Sequence, residues 1–161
     1  MSLRRLVLED APFIVELVND PGWIRFIGDR NVHSLDDARR YLENGPMKLY
    51  AKHGFGLWIV ERRSDGAPVG MCGLVKRDQL EDVDLGFAFL PAYRGQGYAH
   101  EASVGVLDYA WGKLGFKRIV AIFTASNEIS ERLLRKLGFV PEGTRELTPG
   151  DPVNLYAWSR S

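Results

Sequence analysis

Arg94, Gly95, Gln96, Gly97, Tyr98 and Ala99 stand between an apolar, strand-like run and a helix-like run. Residues of these types at such a junction can bind an anion. The first N–H groups of a helix have no partner inside it, and together with the helix dipole they attract negative charge. Gly95 and Gly97 carry no Cβ, so the backbone can approach a phosphate closely. Arg94 is expected to add a fixed positive charge at the rim. Such a helix end favours an anion by roughly 0.3–2 kcal/mol per charge before hydrogen bonds are counted. Other phosphate loops fit less well. A Walker loop needs Gly-Lys-Ser/Thr, which is absent. A dinucleotide fingerprint needs a third glycine where His100 stands. His100 and Glu101 open like a zinc-binding helix, but Val104 occupies the place of the second histidine, so no metal is expected.

The elements that position this loop can be read from periodicity. A short strand is expected over residues 4–8. A helix capped by Asp10, with Pro12 in its first turn, carries the stripe Phe13, Ile14, Leu17 and Val18. Asn19, Asp20, Pro21 and Gly22 read as its end, with Trp23, Phe26 and Ile27 in the loop beyond. Ser34 caps a second helix that runs through Leu42 to Gly45 and Pro46. Residues 55–61, 69–75 and 83–90 read as an antiparallel meander. The glycine loop then leads into a helix carrying Ala99, Ala102, Val106, Leu107, Ala110 and Leu114, which Gly115 stops. Residues 118–124 form a buried strand, and a strand–helix–strand unit implies parallel pairing. A helix over 128–137 ends at Gly138, and strands at 139–145 and 153–158 complete the pattern. The order is β-α-α-β-β-β-α-β-α-β-β, an α+β fold with about seven strands in one mixed sheet flanked by four helices.

The chain has 161 residues, 45% of them hydrophobic and 26% charged, which suits one globular domain over 1–161. With 21 basic and 21 acidic residues the formal charge is zero, so nucleic acid is not an expected partner. No run approaches the ~20 apolar residues of a membrane span, and the N-terminus does not read as a secretory signal. The single cysteine, Cys72, rules out an internal disulfide and reads as core. A cytoplasmic location is expected.

The loop at residues 94–99 matches the Arg/Gln-x-x-Gly-x-Gly/Ala motif of the GCN5-related N-acetyltransferases (GNAT), which bind acetyl-CoA. The element order resembles that fold too, with its mostly antiparallel sheet splayed at the centre. Asn127 to Ser130 and Leu134 to Phe139 look like the family's downstream helix. Asp84 to Phe87, Gly97 to Ala102, and Asn127 with Ser130 resemble its ribosomal-protein N-terminal acetyltransferase (RimJ/RimL-like) branch. The resemblance implies acetyl-CoA as cosubstrate, with its pyrophosphate on the amides of Gly95, Gln96, Gly97, Tyr98 and Ala99. The strand ending at Phe89 and Leu90 would pair with the pantetheine amides, and Asn127 would hydrogen-bond the same arm. It also implies an amine partner, either a protein N-terminus or a small molecule, and a homodimer.

The chemistry would be direct attack of a neutral amine on a thioester carbonyl, polarised by a backbone N–H near Phe89 or Leu90. Deprotonating a lysine at pH 7 costs about 4.6 kcal/mol; an α-amine costs only about 1–1.4 kcal/mol. A carboxylate acting through water then suffices as base. Asp84 is the candidate, because alternation puts it on a face with Gly86 and Ala88, whose small side chains leave room for a ligand. Glu101 is its rival, with a helix-dipole role as the alternative. Many of these enzymes carry a tyrosine acid where Leu134 stands. Ser130, one turn after Asn127, resembles the serine proposed as acid in the ribosomal branch. Trp23, Phe26 and Trp58 are the expected acceptor-binding residues, and Arg25, Asp29, Arg30 and His33 lie in the same stretch as the first two. A non-catalytic acyl-CoA-binding or sensing module is the alternative that Leu134 keeps open.

Overall fold

The β-branched and apolar runs pair into one seven-stranded sheet in the order β1-β2-β3-β4-β5-β7-β6 in the computed structural model, which describes residues 1–161. The strands are β1 (Ser2–Arg5), β2 (Leu57–Glu61), β3 (Pro68–Val75), β4 (Asp84–Phe89), β5 (Arg118–Phe123), β6 (Val140–Thr148) and β7 (Asp151–Ser159). All neighbours are antiparallel except β4 and β5. Helix α5 (Tyr98–Gly112) makes the crossover between those two, as the strand–helix–strand pattern requires.

The expected N-terminal helical pair resolves into four helices: α1 (Ala11–Val18), α2 (Pro21–Phe26), α3 (Leu35–Asn44) and α4 (Pro46–His53). The prolines explain the difference. Pro21 and Pro46 each sit in the first turn of a new helix, where the missing N–H costs nothing. Asp20, read as part of a helix end, starts α2: its carboxylate accepts the N–H groups of Gly22 and Trp23 at 3.1 and 3.3 Å. Trp23 and Phe26 therefore sit on a helix rather than in a loop. With α5 and α6 (Glu128–Lys136), six α-helices flank the sheet.

Two cores follow from strand alternation. On one face Val60, Cys72, Leu85 and Phe89 pack with Val106 and Ala110 of α5 and Leu134 of α6. On the other, Ile59, Met71 and Leu90 pack with Ile14 and Leu17 of α1 and Leu42 of α3. Cys72 is fully buried, with Sγ 3.6 Å from the Ser103 hydroxyl, and burial pushes its thiol up to about 12. It is core, as read from the sequence.

The functional consequence of the topology lies between β4 and β5. β4 is paired with β3 along its whole length, from Gly70↔Phe89 to Val75↔Asp84. Its ladder with β5 holds only at Asp84↔Val120, beside the Val120 N–H to Val83 C=O bond at 3.0 Å. Beyond that point the strands part, so the sheet opens toward the glycine loop.

Candidate active site

The end of β4 delivers the chain to the glycine loop. Gly95 and Gly97 take positive φ values of 75° and 87°, which glycine adopts without strain. A Cβ built at either would meet nothing within 4 Å. None of the backbone N–H groups from Gly95 to His100 has an acceptor in the chain; the first one paired is that of Glu101, to Gly97 C=O at 3.0 Å. The open, glycine-led helix end expected from the sequence is therefore present, with no side-chain cap at Gly97. Gln96 turns its amide back to the Ala92 carbonyl, 2.9 Å, and the Tyr98 ring packs edge-on against Tyr93.

Arg94 is placed differently from expectation. Its Nε donates to the Phe89 carbonyl at 3.0 Å and its guanidinium pairs with the buried Asp20. The cation is drawn to a carboxylate at the start of α2, so it ties that helix to the end of β4 instead of standing free at the loop rim. Asp20→Ala removes both the α2 cap and this partner. It is expected to cost about 2 kcal/mol or more of stability, read by urea denaturation.

Leu90 also departs from expectation. Its N–H is bonded to Val69 C=O at 3.0 Å, its C=O accepts from Tyr93 N–H at 3.0 Å, and its side chain is core. It has no backbone N–H left for a ligand. The same bond fixes the register: an antiparallel ladder alternates, so Ala88 and Gly86 also turn their N–H groups toward β3. Phe87 and Phe89 turn theirs toward the gap. The Phe89 N–H finds no acceptor on β5 or on Thr124 beyond it.

An open cleft of about 310 Å³ runs along this gap and under α2. It brings together Trp23 and Phe26 of α2, Asp84 and Phe89 of β4, Arg94 of the glycine loop, Ala99 of α5, and Asn127 and Ser130 at the start of α6, five segments of the chain. Asp84 shares its floor with Gly86 and Ala88, as alternation predicts. It is 1% exposed, not a solvated strand end, and its Oδ2 accepts from Arg77 Nε at 2.7 Å. Burial pushes its carboxyl up from the ordinary value, with Arg77 opposing. Arg77 lies in the β3–β4 connection, and only the Val75↔Asp84 register reveals it as a partner. Glu101 is exposed on α5 and does not border the cleft.

Asn127 caps α6, its Oδ1 accepting the Ser130 N–H at 3.2 Å, which leaves its amide NH₂ as donor. The Ser130 hydroxyl is half-buried at the cleft without a protein partner. Leu134 is 1% exposed in the core, and Leu133 borders the cleft instead.

Trp58 does not join this site. It faces the opposite side of the sheet, where its ring packs edge-on against Tyr109 of α5, centroids 5.6 Å apart, beside a separate depression with Leu3 and Gly105. Its neighbour Leu57 has the parity that reaches the cleft. Trp58→Leu is accordingly expected to lower the melting temperature while leaving the amine KM within about twofold, since it removes packing only.

The sheet opened beside an uncapped, glycine-led helix end is the architecture of an acyl-group transferase of the acetyltransferase type. A family model described as an acetyltransferase (GNAT) domain matches residues 1–140. The chain belongs to that family and is an N-acetyltransferase. It is 30% identical to "uncharacterized N-acetyltransferase YoaA" of Bacillus subtilis (strain 168), over 98% of this chain and 92% of that one. It is 26% identical to the spermidine N(1)-acetyltransferase of Escherichia coli (strain K12), over 89% of this chain and 74% of that one. Among solved structures, RimL, a ribosomal L7/L12 alpha-N-protein acetyltransferase in complex with coenzyme A, superposes with a TM-score of 0.79 at 20% identity, covering 98% and 92% of the two chains. No helix is long and apolar enough to cross a membrane.

Proposed function

We propose that this N-acetyltransferase moves an acetyl group from acetyl-CoA to a primary amine by direct attack. The observation that carries the reading is the run of acceptor-free N–H groups from Gly95 to His100 at the end of the β4–β5 gap. In this reading those amides hold the diphosphate, and pantetheine lies along β4 as an added strand. The free NH₂ of Asn127 holds the same arm. The amine nitrogen attacks the thioester carbon; the C–N bond forms and the C–S bond breaks. The amine's proton passes through water to Asp84, whose raised pKa makes it a stronger base than an ordinary carboxylate. The departing thiolate takes a proton from the Ser130 hydroxyl, a proton that cleft water replaces. Gap-facing N–H groups of β4 stabilise the oxyanion. Cys72, buried and protonated, takes no part.

The test is free-thiol release from acetyl-CoA with a panel of amines, alongside calorimetric titration of CoA. Micromolar CoA binding and amine-dependent thiol release are expected. Absence of CoA binding would overturn the reading.

A further inference from the structure

Within that reading, the amine side of the cleft has a polarity of its own. Its two carboxylates are already engaged: Asp20 by Arg94 and the α2 amides, Asp84 by Arg77. A substrate bearing several positive charges finds no unpaired acid there.

Donors, by contrast, are left over. Arg30, in the segment after α2, borders the cleft and has no hydrogen bond or ion pair within the chain. Tyr41 of α3 borders it as well, its hydroxyl unpartnered and within the field of Arg30. Burial pushes the Tyr41 phenol up, so it remains a donor at neutral pH. Trp23 is 5% exposed, and its buried Nε1–H has no acceptor in the protein. A buried N–H without a partner is uncommon, and here the indole walls a ligand cleft. Phe26 adds a second aromatic surface.

We infer that the acceptor is an apolar primary amine carrying a carboxylate, with that carboxylate on Arg30 and Tyr41 and its body against Trp23 and Phe26. The inference rests on the acetyl-transfer reading and narrows it: a polyamine is the wrong complement for this wall, because the surplus groups include a cation and no free carboxylate. Free amino acids and acidic peptide ends share the chemistry.

Matched probes separate the possibilities. L-phenylalanine is compared with phenethylamine, Phe-Glu-amide with Phe-Gln-amide, and spermidine serves as the polycation. The carboxylate-bearing member of at least one pair is expected to show kcat/KM about 10- to 100-fold above its partner, the range of one charge-assisted hydrogen-bond set. Spermidine is expected to be slowest. The pair that responds identifies a free amino acid or a peptide as the source. Arg30→Gln is expected to bring the ratio within about twofold, with CoA affinity retained. Equal rates within both pairs, faster turnover of spermidine, or a preference that survives Arg30→Gln would overturn the inference. If no amine releases thiol, the transfer reading fails by itself, and titration into CoA-loaded protein decides the anion site. Binding of L-phenylalanine or Phe-Glu-amide that weakens about 10-fold or more in Arg30→Gln supports it. No binding, or binding indifferent to Arg30→Gln, overturns it.

Discussion

Asp84→Asn is expected to lower kcat/KM for acetyl transfer about 100-fold or more, the usual cost of losing a positioned general base. Asparagine keeps the shape and the hydrogen bond to Arg77 but cannot accept the amine's proton. CoA affinity, read by calorimetry, should stay within about twofold. The pH dependence gives a second check. Burial holds the Asp84 carboxyl above its ordinary value. The acid limb of kcat/KM should therefore lie above the usual carboxylate range near pH 3.9, and it should vanish in the variant. Stability moves the other way. A carboxyl whose folded pKa is raised favours folding when protonated, and that contribution is lost as pH rises through the folded value. At neutral pH the buried charge thus weighs against the fold, and asparagine relieves it. Asp84→Asn should melt at or above the parent temperature at pH 7, with the difference shrinking as pH falls toward the unfolded value. An unchanged rate would remove Asp84 as the base, and a large drop in melting temperature would assign the loss to folding instead.

Gly97→Ala is expected to raise the Kd for CoA about 100-fold, the loss of roughly two charge-assisted hydrogen bonds. Since a Cβ at Gly97 would meet no atom of the protein, the added methyl group obstructs only what approaches the open amides. The φ of 87° adds a left-handed strain of about 1–2 kcal/mol. Gly115→Ala is the control. Its φ is 76°, its Cβ would also meet open space, and it follows the far end of α5. Both variants should lose similar stability, whereas only Gly97→Ala should lose CoA. Equal CoA affinity in the two would show that the amides of the loop hold no phosphate.

The features legible in the sequence were those fixed by local chemistry. Glycines with a helical run behind them specify an open helix end wherever they occur, and alternation from Asp84 to Ala88 specifies a ligand-sized floor. The misread features depend on distant partners. Pro21 and Pro46 mark both the stop of one helix and the start of the next, and the sequence alone favours neither. Leu57, Trp58, Ile59 and Val60 are all apolar, so nothing in β2 says which face takes Trp58. Arg94 belongs to the loop in sequence, but Asp20 lies 74 residues earlier and claims its guanidinium. Leu90 follows Phe89 by one residue, and that single step turns its N–H from the gap to β3.

Because β4 is paired with β3 along its full length, it also serves as a ruler. At about 3.3 Å per residue, Phe87 stands roughly 10 Å from Asp84 along the strand and Phe89 roughly 17 Å. A carboxylate at one end and an oxyanion donor farther along cannot both touch one carbon atom. Under the proposed chemistry Phe87 is then the nearer gap-facing donor, and the reacting carbon would sit beside it, several ångströms from Asp84. The amine's proton would then reach Asp84 through a relay of water molecules whose length was fixed when the sheet formed.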